Sequence, residues 1–242
     1  MRARRCRIRA LLGAVALAGA VQAAGALAAD QMEQRLAACS ACHGERGAGA
    51  GGAEYVPHLA GKPAGYLFEQ LAGFRDGRRS NAQMTWLVQF ADDAWLREIA
   101  GHYAAQPPRT RPADTGADAL TDAIRATAER LVFEGDPARG VDACAACHGR
   151  ALTGLEPGIP ALVGLPAEYI IAQLGNWRGG IRRATTPDCM AGIAKAIAPE
   201  DVRAVAVWLS QQAHADGEPP AAAGAFTPPH ACGSLGDAGL PR

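Results

Sequence analysis

Cys39-Ser40-Ala41-Cys42-His43 and Cys144-Ala145-Ala146-Cys147-His148 decide the reading of this chain. Each is a Cys-x-x-Cys-His pattern, the signature of c-type haem attachment. Two cysteines three apart can each form a thioether to a haem vinyl group. The histidine that follows is then placed to ligate the iron. A single zinc ribbon built from both pairs does not suit the chain. Its pairs lie about 15–20 residues apart in that motif, whereas Cys42 and Cys144 are 102 positions apart. A thioredoxin-like dithiol would need a βαβ context, and no alternating strand pattern is present.

Working outward, the chain repeats itself at an offset near 105 residues. Pro57-His58-Leu59-Ala60-Gly61 matches Pro160-Ala161-Leu162-Val163-Gly164, and Pro63-Ala64-Gly65-Tyr66 matches Pro166-Ala167-Glu168-Tyr169. Gln70-Leu71 matches Gln173-Leu174, and Phe74-Arg75-Asp76-Gly77 matches Trp177-Arg178-Gly179-Gly180. A methionine closes the pattern in each half: Met84 lies 41 residues after His43, and Met190 lies 42 after His148.

Helical periodicity runs through both copies. Leu96, Ile99, Ala100 and Tyr103 recur at i, i+3, i+4 and i+7, and Val202, Val205, Ala206 and Leu209 repeat that face. Pro199 suits a first helical position, with Glu200 and Asp201 favourable in the first turn. Further helices are expected over 66–74, 169–177 and 120–133, with a shorter one over 31–38. The chain therefore reads as all-α.

Before the first repeat, Arg2, Arg4, Arg5, Arg7 and Arg9 precede a short apolar stretch, Leu11 to Val21. Ala26-Leu27-Ala28 offers a small-x-small cleavage site, so residues 1–28 read as a secretory signal peptide and the protein as periplasmic. An uncleaved anchor is the alternative, for which the apolar stretch is short. Removing this segment takes five of the 24 basic residues and no acid, leaving 19 against 24, a formal charge of −5. That balance excludes nucleic-acid binding through phosphate neutralisation and favours partners with a basic docking patch. The expected organisation is a first domain at 30–106, a Pro- and Thr-rich linker at 107–119, a second domain at 120–216 and an irregular tail at 217–242. Each half is small and poor in aromatics, so a buried haem would supply apolar area that the protein lacks.

The order Cys-x-x-Cys-His, Pro-x-Leu-x-Gly, central helix, lone Met and terminal helix resembles the class I cytochrome c domain. The tandem arrangement, with Tyr66-Leu67-x-x-Gln70-Leu71-x-x-Phe74-Arg75, resembles the two-haem cytochrome c4 family over residues 30–212. The resemblance implies two tandem domains, each wrapped around one covalent haem c held by Cys39 and Cys42 or by Cys144 and Cys147. It makes His43 and His148 the proximal iron ligands and Met84 and Met190 the distal ones. It also makes the Pro57 and Pro160 carbonyls acceptors for the other ring N–H of each histidine, a contact that orients a ligand. Thioether ligation favours ferrous iron and closes the sixth position.

Beyond Cys6, which lies in the signal-like segment, two cysteines fall outside the motifs. Cys189 directly precedes Met190, and an even pair in an oxidising compartment suggests a disulfide with Cys232. Such a bond would pin the tail beside the second haem and stiffen the loop carrying Met190. A buried free thiol and Cys189 as an iron ligand are the alternatives. His58, His102, His214 and His230 lie outside the repeated chemistry and read as surface or structural residues, with His230 a replacement ligand only in an altered state.

The function implied is electron transfer rather than catalysis. Electrons would pass from a quinol-oxidising complex or a dehydrogenase to a terminal oxidase or another redox protein, with peripheral membrane association left open. One alternative is the cytochrome subunit of a periplasmic dehydrogenase acting on sulfide or an alcohol. The other is a di-haem enzyme, a peroxidase or thiosulfate dehydrogenase, which would need a displaceable ligand.

Overall fold

A computed structural model describes residues 31–49, 55–108, 120–213 and 217–235. The signal-like segment, most of the linker and His214 lie outside the described residues. The chain divides into two compact units, residues 1–41 and 42–242. In the first unit, residues 31–41 are helical apart from a turn at Leu36. The helix α1 (Ala37–His43) carries on from there through the first haem-type motif.

The second unit contains the rest of both repeats, and its described secondary structure is helical, with β-pairing confined to isolated bridges. From the first repeat come α2 (Ala64–Arg75), α3 (Ala82–Val88) and α4 (Asp93–Ala104). The second contributes α5 (Asp122–Phe133), α6 (Cys144–His148), α7 (Ala167–Arg178), α8 (Cys189–Ala196) and α9 (Pro199–Ser210). The expected helices are present: those over 66–74 and 169–177 gain a residue or two at each end, that over 120–133 starts at Asp122, and the one expected over 31–38 turns at Leu36 and runs on to His43.

Local chemistry sets these limits. The Asp92 carboxylate accepts the Trp95 N–H at 2.8 Å and starts α4, which buries Leu96, Ile99, Ala100 and Tyr103 against α2. The Thr121 hydroxyl accepts the Ile124 N–H at 3.3 Å and starts α5. Each such cap is worth about 1 kcal/mol. Pro199 opens α9, where its missing N–H would have had no partner. Packed on both α5 and α7, α9 is buried on all sides from Ala204 to Ser210. Trp208 meets Phe133 edge-to-face at 5.7 Å, and its indole N–H donates to Glu129 at 3.3 Å.

Met84 and Met190 sit on helices rather than loops. Asn81 caps α3 by accepting the Met84 N–H at 3.0 Å. Asp188 caps α8 by accepting the Ala191 N–H at 3.0 Å, and it also takes the Ala184 N–H at 2.7 Å. The expectation of a loop around Met190 is therefore corrected. Both short helices were hidden from periodicity because seven or eight residues span barely two turns.

Contacts between the repeats are polar. Residues 79 and 182 pair as an antiparallel bridge, and the Arg183 N–H donates to the Arg78 carbonyl at 2.7 Å. The Tyr66 N–H donates to the Pro157 carbonyl at 3.1 Å. A Cβ at Gly65 would stand 2.6 Å from that carbonyl oxygen, so glycine is required for this approach. Lys62 reaches from the first repeat to the Ala161 carbonyl at 3.2 Å.

The tail is irregular but anchored. Cys232 is bonded to Cys189 (S–S 2.01 Å, Cα–Cα 5.6 Å), so Cys189 is neither a free thiol nor a thiolate. Leu155, Ile159, Cys232 and Leu235 form a small buried cluster, against which Cys147 and Phe226 pack. No helix among the described residues is long and apolar enough to cross a membrane.

Candidate functional site

Each Cys-x-x-Cys-His motif lies on a short helix whose last residue is the histidine, buried in both copies. The His43 Nδ1 lies 2.8 Å from the Pro57 carbonyl oxygen, and His148 Nδ1 lies 2.8 Å from that of Pro160. A carbonyl can only accept, so Nδ1 carries the proton and the Nε2 lone pair is left for a metal. The supporting loops repeat as well. The His43 carbonyl accepts the Gly49 N–H at 2.7 Å, and the His148 carbonyl accepts the Gly154 N–H at 2.9 Å. The Leu59 N–H donates to Gly47 and the Leu162 N–H to Leu152 in the same places.

Electrostatics keep both imidazoles neutral. Burial lowers the His43 pKa, with the Pro57 bond opposing it and the Arg79 charge adding to it. Burial also lowers His148, to about 4, against the Pro160 bond and with help from the Lys62 charge. A neutral imidazole is the ligating form. Burial raises the Cys144 thiol to about 11, so at neutral pH it carries its proton. Cys42, Cys144 and Cys147 are not in disulfides.

The methionines are half-buried, and their helices are held by matching arginines. Arg178 at the end of α7 donates to the Ala194 carbonyl at 2.8 Å and to that of Ile197, satisfying the last carbonyls of α8. Arg75 at the end of α2 donates to the Ala91 carbonyl at 3.1 Å, just beyond α3, and to Asp93 at 2.7 Å. The donor set on each repeat is a cysteine pair, a neutral imidazole and a thioether on a capped helix. It fits a covalently attached haem. The buried indole N–H of Trp177, with no partner among the described residues, adds a donor suited to a group with oxygen acceptors.

The two sites differ in their cover. The disulfide-anchored tail packs on Cys147, while Cys42 is exposed, as are Tyr55, Trp86 and Phe90 (63, 72 and 92 % exposed). Among the remaining histidines, His58 is buried, His102 stacks edge-on against Tyr103 at 5.2 Å, and exposed His230 lies 2.7 Å from an Asp142 carboxylate oxygen.

Sequence reading passed over Lys62, Arg79 and Arg182. Lys62 stands where the second repeat has Leu165, so the break in the repeat was its signal. Arg79 and Arg182 lie 103 residues apart, the same interval that relates Tyr66 to Tyr169 and Gln70 to Gln173.

Comparison with known proteins places this geometry among redox proteins. The cytochrome c family profile matches residues 26–124. A thiosulfate dehydrogenase electron acceptor from Thiomonas intermedia is 37% identical over 199 residues, 82% of this chain and 89% of the relative. A cytochrome c4 from Pseudomonas aeruginosa is 33% identical over 201 residues, 82% of this chain and 94% of the relative. Among solved structures, the reduced cytochrome c4 from Pseudomonas stutzeri superposes with a TM-score of 0.64 at 27% identity, covering 76% of this chain and 97% of that one. A thiosulfate dehydrogenase (TsdBA) from Marichromatium purpuratum gives 0.63 at 30% identity, covering 72% of this chain but only 36% of that one.

Proposed function

The chain belongs to the cytochrome c family and, within it, to the cytochrome c4-like electron-transfer proteins, and on that premise we propose a periplasmic carrier with two covalent haems that accepts electrons from a thiosulfate dehydrogenase. Domains at 30–106 and 120–216 each hold one haem. Cys39 and Cys42 would attach the first haem, with His43 and Met84 as its iron ligands; Cys144 and Cys147 would attach the second, with His148 and Met190. The observation that carries this reading is the pairing in both repeats of a His–Pro carbonyl bond with a capped Met helix.

Haem iron supplies one-electron chemistry when bound. The chain's own residues do the rest. Pro57 and Pro160 fix the plane and tautomer of each histidine, so the iron would see the same donor before and after an electron passes. Asn81, Asp188, Arg75 and Arg178 hold the methionine helices from both ends, which keeps a sulfur donor in place without rebuilding the site. A histidine and a methionine from each repeat would leave the iron no position for substrate, which suits electron transfer. The oxidising compartment expected after export agrees with the Cys189–Cys232 disulfide.

A thiosulfate dehydrogenase is chosen as donor because a curated acceptor of that enzyme matches across most of both chains. The test mixes purified oxidised protein with a thiosulfate dehydrogenase and thiosulfate, and separately with a quinol-oxidising complex and quinol. Rapid haem reduction in the first mixture supports the reading. Reduction only in the second assigns the protein to the quinol branch instead.

A further inference from the structure

The two repeats differ in side-chain size at three matched places. The 103-residue offset that relates Pro57 to Pro160 pairs Tyr55 with Gly158. The 106-residue offset that relates Met84 to Met190 pairs Trp86 with Gly192 and Phe90 with Ala196. Exposed aromatic residues of the first repeat thus give way to glycine, glycine and alanine in the second. What the second repeat has instead is the tail.

Residues 217–235 are fastened to the second repeat along their length. The Ala221 N–H donates to the Gly154 carbonyl and the Glu156 N–H to the Ala221 carbonyl, both at 2.9 Å. At Gly149, directly after His148, an added Cβ would stand 3.5 Å from the Phe226 ring. His230 Nε2 lies 2.7 Å from an Asp142 carboxylate oxygen, and the Gly233 N–H donates to the Pro187 carbonyl at 2.9 Å. At Gly158 an added Cβ would stand 2.2 Å from the Ser234 carbonyl oxygen. Glycine at the place of Tyr55 is therefore what admits the tail. The Cys189–Cys232 bond then locks it down. Cys147 and Phe226 pack on the same buried cluster of Leu155, Ile159, Cys232 and Leu235, whereas the matching Cys42 is exposed. An apolar cover at a metal group controls the access of solvent to it.

We propose that the tail is a strap that closes the Cys147 edge of the second haem to solvent and to partner proteins, so that electron exchange with other proteins runs through the first haem. The proposal rests on the two-haem reading above. Cys147 is where a thioether would join that haem, so whatever packs on Cys147 packs on that edge of the attached group. The second haem then takes its electrons from the first, within the chain. The small residues at 158, 192 and 196 and the disulfide serve one end, a covered second site beside an open first one.

The test uses the full holoprotein, held ferrous by ascorbate, with a neutral gadolinium chelate as the probe. NMR line broadening of each haem's thioether protons reports whether that edge is open to a molecule smaller than any protein. In wild type the first haem's signals are expected to broaden severalfold more than the second's. The comparison is the triple variant Gly158→Tyr, Cys189→Ser, Cys232→Ser. It opens the disulfide and sets against Ser234 the side chain that the first repeat carries at that place. Its second haem is expected to broaden as strongly as its first. Equal broadening in wild type, or a second haem that stays protected in the variant, overturns the strap. Should the variant fail to load both haems, wild type decides alone. Cross-relaxation between the Phe226 ring protons and the second haem's thioether protons is then expected, and its absence overturns the proposal. A haem-to-protein ratio below two in wild type would refute the two-haem reading itself rather than the strap.

Discussion

Replacing Lys62 with leucine, the residue at the matching place in the second repeat, is expected to stabilise the protein in mild acid and to lose that advantage in alkali. Lys62 is only 4 % exposed, and its amine makes one hydrogen bond among the described residues, to the Ala161 carbonyl. Burial lowers its pKa from 10.5 to about 7. At 1.36 kcal/mol per unit, holding the protonated amine there costs about 5 kcal/mol. Below about pH 7 both folded and unfolded chains carry the proton, and the whole cost is present. Between about 7 and 10.5 the unfolded chain binds more protons than the folded one, so wild-type stability rises with pH, by about 1.4 kcal/mol per pH unit. Leucine removes the cost but leaves the Ala161 carbonyl without its donor, which gives back about 1–3 kcal/mol. The net gain should be about 2–4 kcal/mol at pH 6 and near zero by pH 9.5. Urea unfolding of the holoprotein at both pH values, followed by helical circular dichroism, measures it. A pH-independent difference, or destabilisation at pH 6, refutes the reasoning. The same replacement should lower the potential of the second haem at pH 6, because the Lys62 charge acts on His148.

Opening the Cys189–Cys232 bond, which joins residues 43 apart, with paired serines should cost about 4 kcal/mol in the chain-entropy account; thermal unfolding with and without the bond measures it. Gly154 has φ +96°, and a Cβ there would meet the Pro160 carbonyl carbon at 2.7 Å. Gly154→Ala should therefore cost at least about 1–3 kcal/mol and reduce haem loading at the second motif, read as the haem-to-protein ratio. Asp188→Ala removes two hydrogen bonds at the start of α8. It should destabilise by about 1–2 kcal/mol and broaden the second haem's redox transition, while the first is unchanged.

How much was legible in the sequence depended on the kind of signal. The cysteine–histidine motifs, the repeat and the long amphipathic helices were readable because each leaves a fixed spacing. Pro57 and Pro160 came with the family resemblance, and their carbonyls lie where it implied. Three features were not readable. The methionine helices are too short for periodicity, and their limits are set by Asn81 and Asp188, whose caps only a structure reveals. Cys189 offered three fates, which differ by whether the tail folds back, a long-range event with no local trace. Arg79 and Arg182, in Gly77-Arg78-Arg79 and Ile181-Arg182-Arg183, carry no local mark of burial. Only the folding together of the two repeats buries them.

The most direct test of the central claim is a redox titration of the purified protein, monitored by optical and magnetic spectra, with Met84→Ala and Met190→Ala in parallel. The account predicts two low-spin haems with histidine and methionine ligation and unequal potentials. Each replacement should convert one haem alone and lower its potential. A high-spin or thiolate-ligated haem in the wild type, or a methionine replacement that leaves both spectra unchanged, would contradict it.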